Sequence, residues 1–152
     1  MKHIIKHIES KQFIGMKQEM SLVDDKTVKL FKSFMPRRHE IKSSINELVY
    51  DLKIYSETYF RAFKPANTFE KWVLVEVSSL AKIPADMHAF SMQAGKFATF
   101  KHTGFYKDNS PFEYIYGEWL PQSSYKLDSR PHFDIMSTET EAEEQEIYIP
   151  IK

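Results

Sequence analysis

Three stretches of this chain alternate carboxylates with aromatic or long apolar side chains: Trp72, Leu74 and Glu76; Tyr55, Glu57 and Tyr59; Glu146 and Tyr148. Residues two apart share a face of an extended strand, so each stretch offers its set to one side. Aromatic walls stack flat ligands, and their ring quadrupoles favour cations. A carboxylate within such a wall holds a ligand's positive charge. If desolvation raises its pKa, it serves as a general acid or base. Solvated strand faces also alternate polar and aromatic residues for cross-strand packing, and for any one residue that is the commoner role. The recurrence of the pairing on three strands points to a pocket.

Common catalytic fingerprints are missing. No glycine-rich phosphate loop follows a strand, no GxSxG elbow occurs, and no paired-histidine zinc motif falls in a clear helix. His3 and His7 stand four apart, but a metal site needs further ligands. His102 and His132 lie in strand-like stretches without triad partners and read as structural. Cysteine is absent, which removes disulfides, thiol nucleophiles and thiolate metal sites. The expectation is no metal and no organic cofactor.

Basic and acidic residues balance at 21 each. That argues against a broad nucleic-acid surface and leaves Lys32, Arg37 and Arg38 as a solvated helix end. With no signal peptide and no long apolar run, a cytoplasmic protein without direct membrane or nucleic-acid contact is expected. At 152 residues one compact domain is the prior. Aromatic residues make up 14% of it, enough to line a pocket as well as fill a core.

The positioning elements come in two similar sets. Phe34-Met35-Pro36 and Trp119-Leu120-Pro121 recur at one offset, shared by Phe31 with Tyr116 and by Leu30 with Ile115. Phe13 and Phe97 keep nearly the same spacing. A helix is predicted from about Asp24, its N-cap, to Met35, with Pro36 as its stop. A second begins at Ser110-Pro111-Phe112-Glu113, a capping box with proline at the first helical position, and ends at Pro121. Strands are predicted over residues 12–20, 51–59, 70–79, 96–103, 131–136 and 145–151. Val73, Val75 and Val77 suit the helix side; so do Ile147, Ile149, Ile151, Leu52 and Ile54. Thr138 to Glu144 reads as an acidic turn. Residues 1–11 read as an N-terminal extension, and residues 12–152 as one domain of two halves, about 12–79 and 87–152.

FIGMKQEMSLVDDKTVKLFKSFMPRR, FEKWVLVEVSSLAKIP, YIYGEWLPQSSYKLDSRPHFDI and the ending EIYIPIK resemble the GyrI-like small-molecule-binding domain. This is the effector-binding domain also found behind the DNA-binding parts of AraC-type and MerR-type regulators. The resemblance covers residues 12–152. It implies an α+β fold: a duplicated strand-helix-strand-strand module forming a curved antiparallel sheet, two helices on one face and a ligand cleft on the other. It implies binding of hydrophobic, often cationic or aromatic compounds, with an acid in the cleft. Similar sequences read RPHFE where this one has Arg130 to Asp134, one methylene shorter.

The expected function is capture or sensing of such a compound. The alternatives are a hydrolase of reactive, cyclopropane-type electrophiles in the same cleft and a modulator of a protein partner such as DNA gyrase. The candidate ligand-binding residues are Tyr55, Trp72, Glu76, Phe97, Tyr116, Trp119, Asp134, Glu146 and Tyr148. The expected site is an open cavity shared by Trp72, Glu76 and Tyr148.

Overall fold

The computed structural model describes residues 2–103, 110–136 and 144–152. Most of the acidic turn from Thr138 to Glu144 lies outside the described residues. Eight strands form one antiparallel sheet: β1 His3–Ile8, β2 Lys11–Ser21, β3 Val49–Ile54, β4 Thr68–Glu76, β5 His88–Met92, β6 Gly95–Thr103, β7 His132–Met136 and β8 Glu144–Pro150. Their order across the sheet is β1-β6-β8-β7-β3-β4-β2-β5. His3–Ile8, read from sequence as an extension ahead of the domain, pairs along its whole length with β6.

Helices cover one face. α1, Thr27–Phe34, follows Lys26 as its cap, later than the Asp24 start expected. Asp25 instead accepts the Thr27 N–H at 2.9 Å. Leu30 and Phe34 face a core built on Ile14, Val73 and Val75. α2, Ser110–Tyr114, runs on through a π-helical turn, Ile115–Trp119, into α3, Leu120–Gln122. Ile115 seats this rod on Phe100, Ile147 and Ile149. Both prolines reshape their helices and do not stop them. Pro36 sits in a 3-10 continuation, Met35–Glu40. Pro121 cannot donate to the Gly117 carbonyl, and the wider π turn takes up its ring.

The two halves are related by a dyad at the β3–β7 seam. Asp51 pairs directly with Asp134 there. Outward from it, Tyr50 pairs with Leu74 as Phe133 pairs with Tyr148, and Phe13 pairs with Glu76 as Phe97 pairs with Pro150. The match of Phe13 with Phe97 was visible in the sequence.

The sheet curls strongly. β1 lies at one edge and β2 next to the other, yet only Glu9 and Ser10 join them. Ile8 and Lys11 are therefore at most about 11 Å apart. Gln93 and Ala94 join β5 to β6 in the same manner. These two links draw the outer strand pairs of the two halves together across the concave face.

Gly15 lies directly against the β4 backbone. A Cβ there would overlap the Val73 carbonyl. Gly15→Ala is expected to cost ~1–3 kcal/mol of stability, read as a lowered urea midpoint; an unchanged midpoint would show that the strands yield freely.

Candidate functional site

Alternation assigns each strand's concave set. β4 presents Glu70, Trp72, Leu74 and Glu76, while Val73 and Val75 enter the helix-side core. β8 presents Glu146 and Tyr148, with Ile147 and Ile149 on the helix side. Phe97 on β6 joins them, as do Phe13, Tyr50 and Phe133, and so does Leu52, which the sequence assigns to the helix side. Thus Trp72, Glu76, Phe97, Glu146 and Tyr148 occupy one face.

The rings form a connected layer. Tyr148 stacks on Phe133 at 4.4 Å and 12°. Phe133 lies 5.2 Å from Phe97 and 5.7 Å from Tyr50, and Tyr50 meets Phe13 at 4.9 Å. At the β4 end Trp72 packs on Phe90 at 5.3 Å and donates its indole N–H to Glu70 at 2.6 Å.

Two acid–tyrosine–lysine sets rim this layer. Glu76 Oε1 lies 3.0 Å from Lys11 Nζ and 3.5 Å from the Tyr50 hydroxyl. Glu146 Oε1 lies 3.1 Å from Lys6 Nζ and accepts the Tyr148 hydroxyl proton. Burial pushes the Tyr50 phenol well up, and the neighbouring Glu76 charge adds to this. Burial does the same for Tyr148, with its bond to Glu146. Both hydroxyls are therefore proton donors at neutral pH. Burial also pushes Glu146 up, but the bonds from Tyr148 and Lys6 outweigh it and hold the carboxyl below its usual range. Such an arrangement holds positive charge.

The layer also carries the chain's own cations over its rings. Lys6 Nζ lies 5.9 Å from the Tyr148 centroid and Lys17 Nζ 5.3 Å from Trp72. The Arg130 guanidinium lies 4.6 Å from the Phe97 ring centroid. Gly95 makes room for that guanidinium, which a Cβ would strike.

The expectation of an open cavity is corrected. Trp72 and Tyr148 are 4% and 6% exposed, and Phe13 and Phe97 are 0% exposed. The protein's own side chains fill the space, because the curled sheet presses its two halves' rings together.

Four of the candidate residues lie on the other face. Tyr55 follows the end of β3, where Leu52 and Ile54 turn to the concave side. It packs instead against Tyr59, Phe60, Phe69 and His132. Tyr116 stacks on Phe60 at 5.0 Å and shares a 2.7 Å hydrogen bond with buried His132. Burial lowers the His132 pKa to about 3, helped by the Lys53 and Arg130 charges. Trp119 lines a recess of about 310 Å³ beside Tyr125, Glu118 and His3.

Asp134 belongs to a buried polar cluster at the seam. Lys53 Nζ bridges Asp134 at 3.0 Å and Asp51 at 3.4 Å. Lys71 reaches Asp51 at 3.3 Å, and the Gln145 amide donates to Asp134 at 2.9 Å. Burial pushes Asp51 up, but Lys53 and Lys71 hold it below its ordinary range. Burial dominates at Asp134 and raises it despite Lys53.

A second recess of about 500 Å³, lined by Glu40, Lys42 and Ile83 among others, lies away from the concave face. Among the described residues no group of three or more histidines or carboxylates is placed to hold a metal. No described helix is long and apolar enough to cross a membrane.

Comparison with known proteins matches residues 4–151 to the model of the family Cass2, integron-associated effector binding protein. No curated protein matches. Among solved structures, the integron cassette protein from the mobile metagenome of Vibrio cholerae superposes with a TM-score of 0.72. It shares 14% identity, over 99% of this chain and 95% of that one. SAV2435 bound to tetraphenylphosphonium gives 0.69 and 15% identity, over 100% and 94%. The C-terminal domain of EcmrR gives 0.69 and 15%, over 99% and 97%. At such identities these neighbours establish the fold, a curved antiparallel sheet with two helices.

Proposed function

Since the chain belongs to the family of integron-associated effector binding proteins, we propose that its concave face binds a hydrophobic aromatic cation. The carrying observation is that three of the chain's own cations, Lys6, Lys17 and Arg130, already rest on rings of that face. Glu76 and Glu146 stand at its rim to take the charge. The binding residues in this reading are Trp72, Glu76, Phe97, Glu146 and Tyr148, with Tyr50 between the two acids. The tetraphenylphosphonium held by the neighbour SAV2435 is a ligand of this chemical kind. Because the face is filled, the ligand must displace side chains as it enters. The cost of opening lowers the apparent affinity by the fraction of open protein.

Titration of tetraphenylphosphonium and of neutral triphenylphosphine oxide against wild type, Glu76→Gln and Glu146→Gln tests the reading. A charge-assisted contact is worth roughly 1.5–3 kcal/mol. Loss of either acid should therefore weaken the cation by about ten- to a hundredfold and the neutral compound much less. Equal weakening of both ligands would mean that the acids support the fold and do not read charge. No saturable binding of the cation to wild type would end the proposal.

A further inference from the structure

Resting on that reading, we propose that Lys6 and Lys11 are tethered rivals of the ligand's positive charge. They occupy the cation subsites of the closed protein and thereby set which cations the face admits. Lys6 carries the argument furthest. Its ammonium lies 3.1 Å from Glu146 Oε1 and 5.9 Å from the Tyr148 centroid. It thus uses an acid and a ring together, the same pair of attractions that an aromatic cation would seek. Lys11 occupies the acid alone, pairing with Glu76 at 3.0 Å. Neither lysine is sealed in: their side chains are 37% and 25% exposed. Each can swing to solvent on its flexible stem, where an ammonium is well hydrated.

Position strengthens the inference. Lys6 lies on β1 and Lys11 opens β2, on either side of the two-residue link Glu9–Ser10 that joins the sheet's opposite ends. Each ion pair lies within one half of the sheet, Lys6 on β1 with Glu146 on β8 and Lys11 on β2 with Glu76 on β4. Removing a lysine frees an acid.

Selectivity follows from the rivalry. A tethered ammonium has a high effective concentration at its own acid. A small hydrophilic cation offers nothing beyond charge and loses to it. A lipophilic arene cation brings apolar surface for the ring layer as well, and that surplus displaces the lysine. The admitted class is therefore bulky aromatic cations, with inorganic cations and short amines excluded.

Wild type, Lys6→Met, Lys11→Met and the double variant are titrated with tetraphenylphosphonium, triphenylphosphine oxide and tetramethylammonium. Thermal melts confirm folding, and Lys6→Gln replaces Lys6→Met should the latter not fold. Each single variant should bind tetraphenylphosphonium about three- to tenfold more tightly. The double variant should gain more, and it should begin to admit tetramethylammonium. Glu146→Gln placed on Lys6→Met should abolish that variant's gain. Unchanged or weaker cation binding in the folded lysine variants would overturn the rivalry while leaving cation binding intact. Equal gains for the neutral compound would also overturn it, since the lysines would then act as a clasp alone. If tetraphenylphosphonium binds neither wild type nor any variant, the reading of the face fails, and this inference with it.

Discussion

Lys53→Met should cost the fold ~3–5 kcal/mol, the usual penalty for stripping one partner from a buried ion pair. The reason is local. Lys53 is the ammonium that two facing carboxylates share, at 3.4 Å from Asp51 and 3.0 Å from Asp134. Asp51 would keep Lys71, but Asp134 would keep only the Gln145 amide. Two buried acids would then face each other across the β3–β7 seam. One of them would have to take a proton, so the variant should regain stability as the pH falls from 7 towards 5. Lys53→Met combined with Asp134→Asn removes the uncompensated charge and should recover most of the loss. Urea unfolding of the three proteins at both pH values measures this. A Lys53→Met protein within about 1 kcal/mol of wild type would mean that water or relaxation replaces the ammonium.

The second large effect is acid sensitivity through His132. Burial, with the Lys53 and Arg130 charges, lowers its pKa in the fold to about 3. In the unfolded chain the imidazole takes a proton near its ordinary value of about 6.5. The folded pKa is the lower one, so the neutral ring contributes stability that is full above pH 6.5. That contribution shrinks as the pH falls towards 3. Each pH unit in this window costs ~1.4 kcal/mol. His132→Gln keeps a polar group near the Tyr116 hydroxyl and removes the titration. Between pH 7 and pH 4 its stability should fall less than that of wild type, by about 3 kcal/mol. Identical pH slopes in the two proteins would show that the folded ring takes up its proton at the same pH as in the unfolded chain.

The sequence was most legible where one face of a strand is plainly apolar. The valines of β4 and the isoleucines of β8 could only meet the helices, and that choice sent Trp72, Glu76, Glu146 and Tyr148 the other way. β3 misled for a physical reason: both of its faces are buried. Leu52 and Ile54 resemble core residues, and they are, but of the concave layer. Asp51 and Lys53 resemble solvent-facing residues and are instead sealed at the seam. Assigning Leu52 and Ile54 to the helix side reverses the strand and carries Tyr55 to the wrong face. Asp134 is a candidate only through the family resemblance, and its own strand offers no local sign of direction. The signal that was available is the spacing of Asp51 and Lys53 two apart, on the face of Val49. Lys6 and Lys11 are not legible in the sequence because residues 1–11 hold too few apolar side chains to look like part of a sheet.

The dyad between Asp51 and Asp134 has a consequence for how this protein can be assembled from pieces. The partners of the two aspartates are not copies of one another. By register, Met136 stands in the second half where Lys53 stands in the first, and Gln145 where Lys71 stands. Two copies of the first half, docked through that seam, would bury four ammonium groups against two carboxylates. Two copies of the second would bury two carboxylates and no ammonium. Each self-pairing leaves uncompensated charge in the interior, which is strongly disfavoured. Only unlike halves neutralise the seam, so the duplication is no longer divisible into equal parts, and separated fragments would choose each other over themselves.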